Sequence, residues 1–202
     1  MVIKELYPFF QAYAFIIGLA VGSFLNVIIY RLPNNKSIVK PRSKCTGCET
    51  QISWYDNIPV FSYVLLLGKC RNCKASISVR YPLVEFICGL MTVMLLSIYG
   101  ISYEFIIIVL FCYMLIAITF IDIDHFIIPN EFIIFGLIVS FFAHAFKFLP
   151  ISIVQGFYGI IAFGGTLFVM GTLGTWVFKK EALGFGDVKL GFVLGSFLGV
   201  EL

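Results

Sequence analysis

FIIIVLFCYMLIAITFIDIDHFIIPN, residues 105 to 130, runs seventeen uncharged positions before it meets Asp122. A helix of that length rises about 25 Å, somewhat less than the hydrocarbon core of a bilayer, so it reads as a short membrane crossing. Asp122 then lies at or just below the membrane surface. Asp124 follows two residues later, a spacing that turns the two carboxylates to different faces of a helix. Pro129 interrupts the next apolar run. A carboxylate at the edge of a hydrocarbon layer is costly and marks a candidate functional site. A counterpart stands at Gly184 to Lys189, GFGDVK, where Asp187 also borders apolar segments. Asp122 and Asp187 are therefore the candidate acid/base pair, with His125 and Glu131 read mainly as interfacial groups.

The rest of the chain agrees with a membrane setting. Of its 202 residues, 60% are hydrophobic and 12% charged, and the mean hydropathy is +1.01. That balance excludes a soluble monomer. Apolar runs at 8–30, 83–103, 105–121, 126–146 and 151–178 are each long enough to cross. A sixth, 190–200, is half a crossing or the start of one. The first run is too long for the apolar part of a signal peptide and reads as a retained helix. The expected fold is an all-α polytopic membrane protein, a bundle of about six transmembrane helices. A small polar domain is inserted between the first two.

Lysine and arginine orient the helices, because cytoplasmic loops retain positive charge. Nine of the fourteen fall between Arg31 and Arg80. With that segment inside, alternation also puts Lys179, Lys180 and Lys189 inside, leaving only Lys4 and Lys147 outside. Asp122 and Asp187 then share the cytoplasmic face. Topology explains the net charge of +3, so nucleic acid is not an expected partner, whereas the lipid bilayer is.

The polar segment, residues 32–81, carries Cys45-x2-Cys48, then 21 residues, then Cys70-x2-Cys73. Two such knuckles complete a tetrahedral thiolate site for structural zinc, and a reducing cytoplasm disfavours disulfides. Metal binding would let a loop of this size fold without a large core. Trp54, Tyr55, Ile58, Phe61 and 64–67 supply either a small core or a face resting on the bilayer. Cys88 and Cys112, in apolar helices, read as small hydrophobes. Residues 1–31 are thus the first membrane helix, 32–81 a zinc-binding domain and 82–202 the membrane core.

Smaller signals surround these. Gly18-x3-Gly22 lets helices pack closely. Asn26 and Arg31, near the membrane edge, are candidates for holding a substrate carboxylate, although Asn26 could equally bond across the helix pack. Glu85 sits at the cytoplasmic end of the second helix, reaching for the interface. The fifth helix and the final run are glycine-rich. Gly184 and Gly186 are read as giving the backbone a sharp turn that exposes Asp187.

Taken together, these motifs resemble the type IV prepilin peptidases, bifunctional leader peptidases and N-methyltransferases of the GxGD aspartyl protease group. The resemblance is carried by Gly22-Ser-Phe-Leu-Asn-Val with Arg31-Leu-Pro, by the four cysteines, and by Asn57-Ile-Pro. It continues through Gly68-Lys-Cys-Arg-Asn-Cys, Arg80-Tyr-Pro-Leu-Val-Glu85, Asp122 to Asn130 and Gly184 to Lys189. It implies cleavage of the leader of type IV prepilin or pseudopilin precursors at the inner-membrane cytoplasmic face, with Asp122 and Asp187 catalytic. It also implies N-methylation of the new terminus from S-adenosylmethionine, with Gly68 and Lys69 as candidates beside Cys70. Members of the family usually run on for about two further helices, which leaves open whether the sequence was cut short at Leu202. The rival expectations are a non-catalytic zinc-bearing membrane scaffold and a transporter using the carboxylates as an ion relay.

Overall fold

A computed structural model describes residues 2–200, with side chains from residue 7 onward. Among them are seven α-helices: α1 (Val2–Arg31), α2 (Phe61–Leu65), α3 (Arg80–Tyr99), α4 (Tyr103–His125), α5 (Asn130–Ala145), α6 (Ile153–Phe178) and α7 (Phe185–Leu198). A single 3-10 turn, Trp54–Asn57, precedes α2, and β pairing is confined to two isolated bridges.

The expected count of about six crossings is not met. Four helices are long and apolar enough to span, at Tyr7–Arg31, Arg80–Tyr99, Tyr103–His125 and Ile153–Phe178. The apolar run 126–146 falls short because Pro129 is the N-cap of α5, with φ −62° and ψ 136°. That keeps 126–129 out of the helix, since a residue before proline avoids the helical region. The 16-residue α5 and 14-residue α7 rise about 24 and 21 Å, less than a hydrocarbon core. The crossing before Asp122 is longer than read from its charges: α4 has 23 residues, and both aspartates lie inside its last turns.

The chain divides into two compact units, one ending at Phe120 and one beginning at Ile121. In the first, α1 packs on α3 through glycines. A Cβ on Gly18 would stand 2.7 Å from the Cys88 carbonyl oxygen, and one on Gly22 2.6 Å from Glu85 Cα. Without those side chains the backbones nearly touch. Asn26, 3% exposed, donates from Nδ2 to the Tyr81 carbonyl at 2.9 Å. Arg31 donates to the carbonyls of Ser37 and Pro41 at 2.9 and 2.7 Å. Both side chains hold the fold together here, rather than pointing at a ligand.

In the second unit, α6 opens on a capping box. Ser152 Oγ accepts from the Gln155 N–H at 3.2 Å, and Gln155 Oε1 accepts from the Ser152 N–H at 2.9 Å. α6 and α7 meet where Gly159 faces the Gly195 backbone and Gly195 faces that of Gly159. The far end of α7 is tied down by α5. Ser140 Oγ donates to the Ser196 carbonyl at 3.1 Å, and the His144 ring bridges the carbonyls of Ser196 and Ile151 at 2.8 and 3.0 Å. The helix that begins at Phe185 is therefore braced along its length.

Candidate active site and metal centre

Asp122 and Asp187 come together. Both line one cleft of about 280 Å³ in the second unit, with Phe126, Ile127, Ile128, Gly184, Phe185, Gly186 and Lys189. Asp122 arrives from the last turn of α4, which closes when Phe126 takes φ +56° and its N–H bonds the Asp122 carbonyl at 2.8 Å. Asp187 stands in the first turn of α7, its N–H bonded to the Gly184 carbonyl at 3.1 Å. The helix dipole favours a carboxylate at that position. Both residues are exposed. Asp124, His125 and Glu131 are not lining residues of this cleft.

The two glycines of GFGD work by absence of volume, not by the sharp turn expected of them. Gly184 has φ −63° and ψ 134°, and neither residue has positive φ. A Cβ on Gly184 would stand 3.1 Å from Asp187 Oδ2, and one on Gly186 would meet Ile128 Cβ at 3.2 Å. The first glycine thus leaves room for the carboxylate. The second lets the 126–129 turn close down on α7.

Sequence reasoning missed Lys189 and Asn130. The Lys189 ammonium donates to Asn130 Oδ1 at 2.8 Å and lies 4.7 Å over the Phe185 ring. It joins α7 to the start of α5 beside the carboxylates. The signal was in plain view, a lysine two residues after Asp187 and an asparagine after Pro129, but neither has a spacing that pairs them.

The four cysteines form the other centre, in the first unit. Cys45, Cys48, Cys70 and Cys73 place one sulfur each within 4.8 Å of the others, and can hold a metal ion. The knuckles are near copies 25 residues apart. Lys44 bridges Gln51 and Lys69 bridges Ser76. The Cys45 N–H bonds the Thr50 carbonyl at 3.0 Å and the Cys70 N–H that of Ala75 at 2.8 Å. Each hairpin turns through a left-handed residue, Glu49 at φ +54° and Lys74 at φ +60°. Asn72 of one knuckle donates to Thr50 Oγ1 of the other at 3.0 Å.

The surroundings favour thiolate at two sulfurs. The hydroxyl and N–H of Thr50 bring Cys48 down to about 6. The N–H groups of Cys73 and Asn72 lower Cys70. At Cys73 the Ala75 N–H favours the thiolate, yet the neighbouring sulfurs of Cys48, Cys45 and Cys70, with burial, push the group up to about 11. The Sγ atoms of Cys45 and Cys73 are 3.7 Å apart. Four ligands at 2.3 Å around a tetrahedral metal would be separated by about 3.8 Å.

Gly68 and Lys69 sit at the base of the second hairpin. Gly68 holds φ +67°, where a Cβ would meet the Tyr63 hydroxyl at 2.9 Å, and its carbonyl accepts from Ile77 at 2.7 Å. Its place is structural. Lys69 lines a shallow hollow with Leu65, Leu66, Leu67, Cys70, Arg71 and Lys74. Glu85, 8% exposed, does not reach for solvent: its Oε2 accepts the Val60 N–H at 2.7 Å.

Comparison with known proteins gives two family matches. Residues 16–99 match the Bacterial Peptidase A24 N-terminal domain, and 109–202 the Type IV leader peptidase family. A prepilin leader peptidase/N-methyltransferase of Myxococcus xanthus is 40% identical over 191 residues, covering 95% of this chain and 57% of the relative. One from Stutzerimonas stutzeri is 34% identical over 94% of this chain and 73% of its own length. The type 4 prepilin-like proteins leader peptide-processing enzyme of Escherichia coli O78:H11 is 35% identical over 90% and 74%. No solved structure matches the chain.

Proposed function

Because the chain belongs to the type IV leader peptidase family, we propose that it cleaves the leader of prepilin-like precursors and N-methylates the new terminus. Relatives bearing both activities in their names support the pair of reactions. The observation that carries the peptidase assignment is the shared cleft of Asp122 and Asp187. One carboxylate takes a proton from a water as it attacks the scissile carbonyl while the other, protonated, gives its proton to the carbonyl oxygen; the first then passes the water's proton to the leaving amine as the C–N bond breaks, and the second recovers its proton as the carbonyl re-forms. Lys189 and Asn130 hold the cleft's rim.

Methylation uses S-adenosylmethionine. The released amine attacks the sulfonium methyl, the S–C bond breaks with its electrons remaining on sulfur, and the amine loses a proton. Its site belongs to the segment 32–81, for which Lys69 beside the hollow remains a candidate. Zinc is the metal best suited to four thiolates in a closed tetrahedron, held by Cys45, Cys48, Cys70 and Cys73. It would serve as a structural support for the domain at 32–81, between a first helix at 1–31 and the peptidase core at 82–202. The lysines and arginines between Arg31 and Arg80 support a cytoplasmic side of the inner membrane for that domain and, two crossings later, for Asp122, whose cleft Asp187 shares.

The test is incubation of the reconstituted chain with a prepilin-type precursor and S-adenosylmethionine, followed by product mass. Asp122→Asn and Asp187→Asn should abolish leader loss while α-helical content survives, and Asp124→Asn should retain most of it. Full activity in Asp187→Asn would sink the two-aspartate assignment.

A further inference from the structure

The segment between α1 and α3 presents its apolar side chains outward. Phe61, Val64, Leu65 and Leu67 are 58, 62, 65 and 83% exposed, which removes the alternative of a small core for this stretch. One polar group fixes which way α2 faces. Ser62 is buried; its Oγ accepts from the Ile58 N–H at 3.0 Å and donates to the Tyr55 carbonyl at 2.8 Å. With Ser62 turned inward, Phe61, Val64 and Leu65 are turned out.

The depth of this face is set by Glu85. Its buried carboxylate accepts the N–H of Val60, the residue that opens α2 and takes the strained φ of +59°. Glu85 lies five residues into α3, a helix of 20 residues that is long and apolar enough to cross a membrane. Five residues rise about 7.5 Å, so Glu85 stands near the end of α3 at which the chain enters the membrane. A β-branched residue with positive φ persists only where its surroundings over-determine it. Here the surrounding group is a carboxylate on a membrane helix, and it pins α2 at the interface.

Positive charge accompanies the apolar face. Leu65, Leu66 and Leu67 share their hollow of about 250 Å³ with Lys69, Arg71 and Lys74. Arg71 is held by Asp56 at 2.7 Å, while Lys69 and Lys74, both exposed, make no ion pair among the described residues. Apolar side chains beside lysines are the composition of a surface lying in the headgroup region of an anionic leaflet.

We propose that α2 and its basic rim dock on the anionic surface of the bilayer that the chain's own helices cross. This rests on α1 and α3 being membrane helices and not on the peptidase assignment. Phe61, Val64 and Leu65 enter the acyl boundary, and Lys69 and Lys74 meet lipid phosphates. The metal-holding knuckles are thereby tethered at three points: the end of α1, the start of α3 and α2 between them.

The test uses tryptophan fluorescence of the full chain in nanodiscs. Trp54 and Trp176 are the native tryptophans, so Trp54→Phe with Trp176→Phe gives a silent background. Leu65→Trp, Val64→Trp and, as a membrane reference, Phe24→Trp are introduced singly, and only variants that keep their metal are compared. In discs containing phosphatidylglycerol, lipids brominated near the headgroup should quench the Leu65 and Val64 reporters about half as strongly as the Phe24 one or more. Acrylamide should reach them poorly. Quenching should fall when phosphatidylglycerol is replaced by phosphatidylcholine, and fall likewise with Lys69→Gln and Lys74→Gln together. Reporters open to acrylamide and untouched by brominated lipid would overturn the proposal. So would quenching indifferent to lipid charge, or shielding that develops only when a precursor peptide is added, which would make the face a polypeptide site.

Discussion

Replacing Gly184 with alanine isolates one feature of the carboxylate cleft, the space beside Asp187. At φ −63° and ψ 134° the backbone accepts alanine without strain. The added Cβ would lie 3.1 Å from Asp187 Oδ2 and 3.9 Å from its Cγ, where about 3.4 Å is the near limit of ordinary contact. The carboxylate must therefore retreat by about 0.3 Å. A misplacement of about 1 Å costs on the order of 100-fold in rate, so 0.3 Å scales to about 4-fold. Stability should change by less than about 1 kcal/mol, since the entropy gained on leaving glycine offsets the poorer N-cap. The expected result is kcat lowered about 4-fold with KM unchanged and thermal unfolding nearly unmoved. Gly165→Ala is the control, because its Cβ would meet only Ile161 Cγ2 at 3.9 Å. Steady-state cleavage of a fluorogenic precursor peptide reads both. Wild-type kcat in Gly184→Ala, or a loss shared by Gly165→Ala, would refute the link between that space and the position of Asp187.

Four other outcomes are expected. About one zinc per chain should be found by elemental analysis and lost in Cys45→Ser with Cys73→Ser, with the segment 32–81 becoming protease-sensitive, since metal binding supplies folding free energy; a metal-free wild-type chain with an intact segment would contradict this. Glu85→Ala leaves the half-buried Val60 N–H without its acceptor and should cost about 1 kcal/mol in unfolding experiments, while Glu85→Gln, which keeps an oxygen, should cost less. Gly195→Leu forces a side chain into the Gly159 backbone and should destabilise by more than about 3 kcal/mol, beyond ordinary overpacking, as followed by thermal denaturation in detergent. The Arg71 guanidinium holds Asp56 below its ordinary 3.8, so the pair's contribution is complete above that value and fades as pH falls through the lowered one. Arg71→Met should return the Asp56 titration upward by NMR, and an unmoved titration would deny the pairing.

Much of the site was readable before any coordinates. Asp122 and Asp187 betrayed themselves because an apolar chain has few charges and each costs free energy, so carboxylates at two apolar borders stood out. The cysteine spacing declared the thiolate cluster for a similar reason, rarity combined with period. The helix ends were less legible. Charge alone put the end of α4 before Asp122, whereas the helix runs on to His125, because a carboxylate leaving the hydrocarbon does not stop backbone hydrogen bonding. Pro129 was visible, but not that it would shorten the fourth apolar run, 126–146, below span length. Asn26 and Arg31 looked like holders of a substrate carboxylate and Glu85 like a group reaching for the interface, since polarity in an apolar context is the same signal whether the partner is a substrate, the solvent or the chain's own backbone. Only three-dimensional placement supplies Tyr81, Ser37, Pro41 and Val60 as their partners.

The two centres reach defined geometry by opposite means, and that accounts for where glycine is used. At the knuckles a bound metal would itself impose distances and angles, so the protein needs only two short hairpins that bring four sulfurs within 4.8 Å. At the carboxylates, packing and hydrogen bonds among the described residues set the positions. Hence α7 is set backbone against backbone on α6 at Gly195 and Gly159, bound to α5 through Ser140 and His144, and closed against the 126–129 turn at Gly186. A Cβ on Gly159 or Gly195 would collide with the facing backbone and one on Gly186 would crowd Ile128, so close packing, together with the Lys189–Asn130 bond, fixes where α7 stands beside the end of α4.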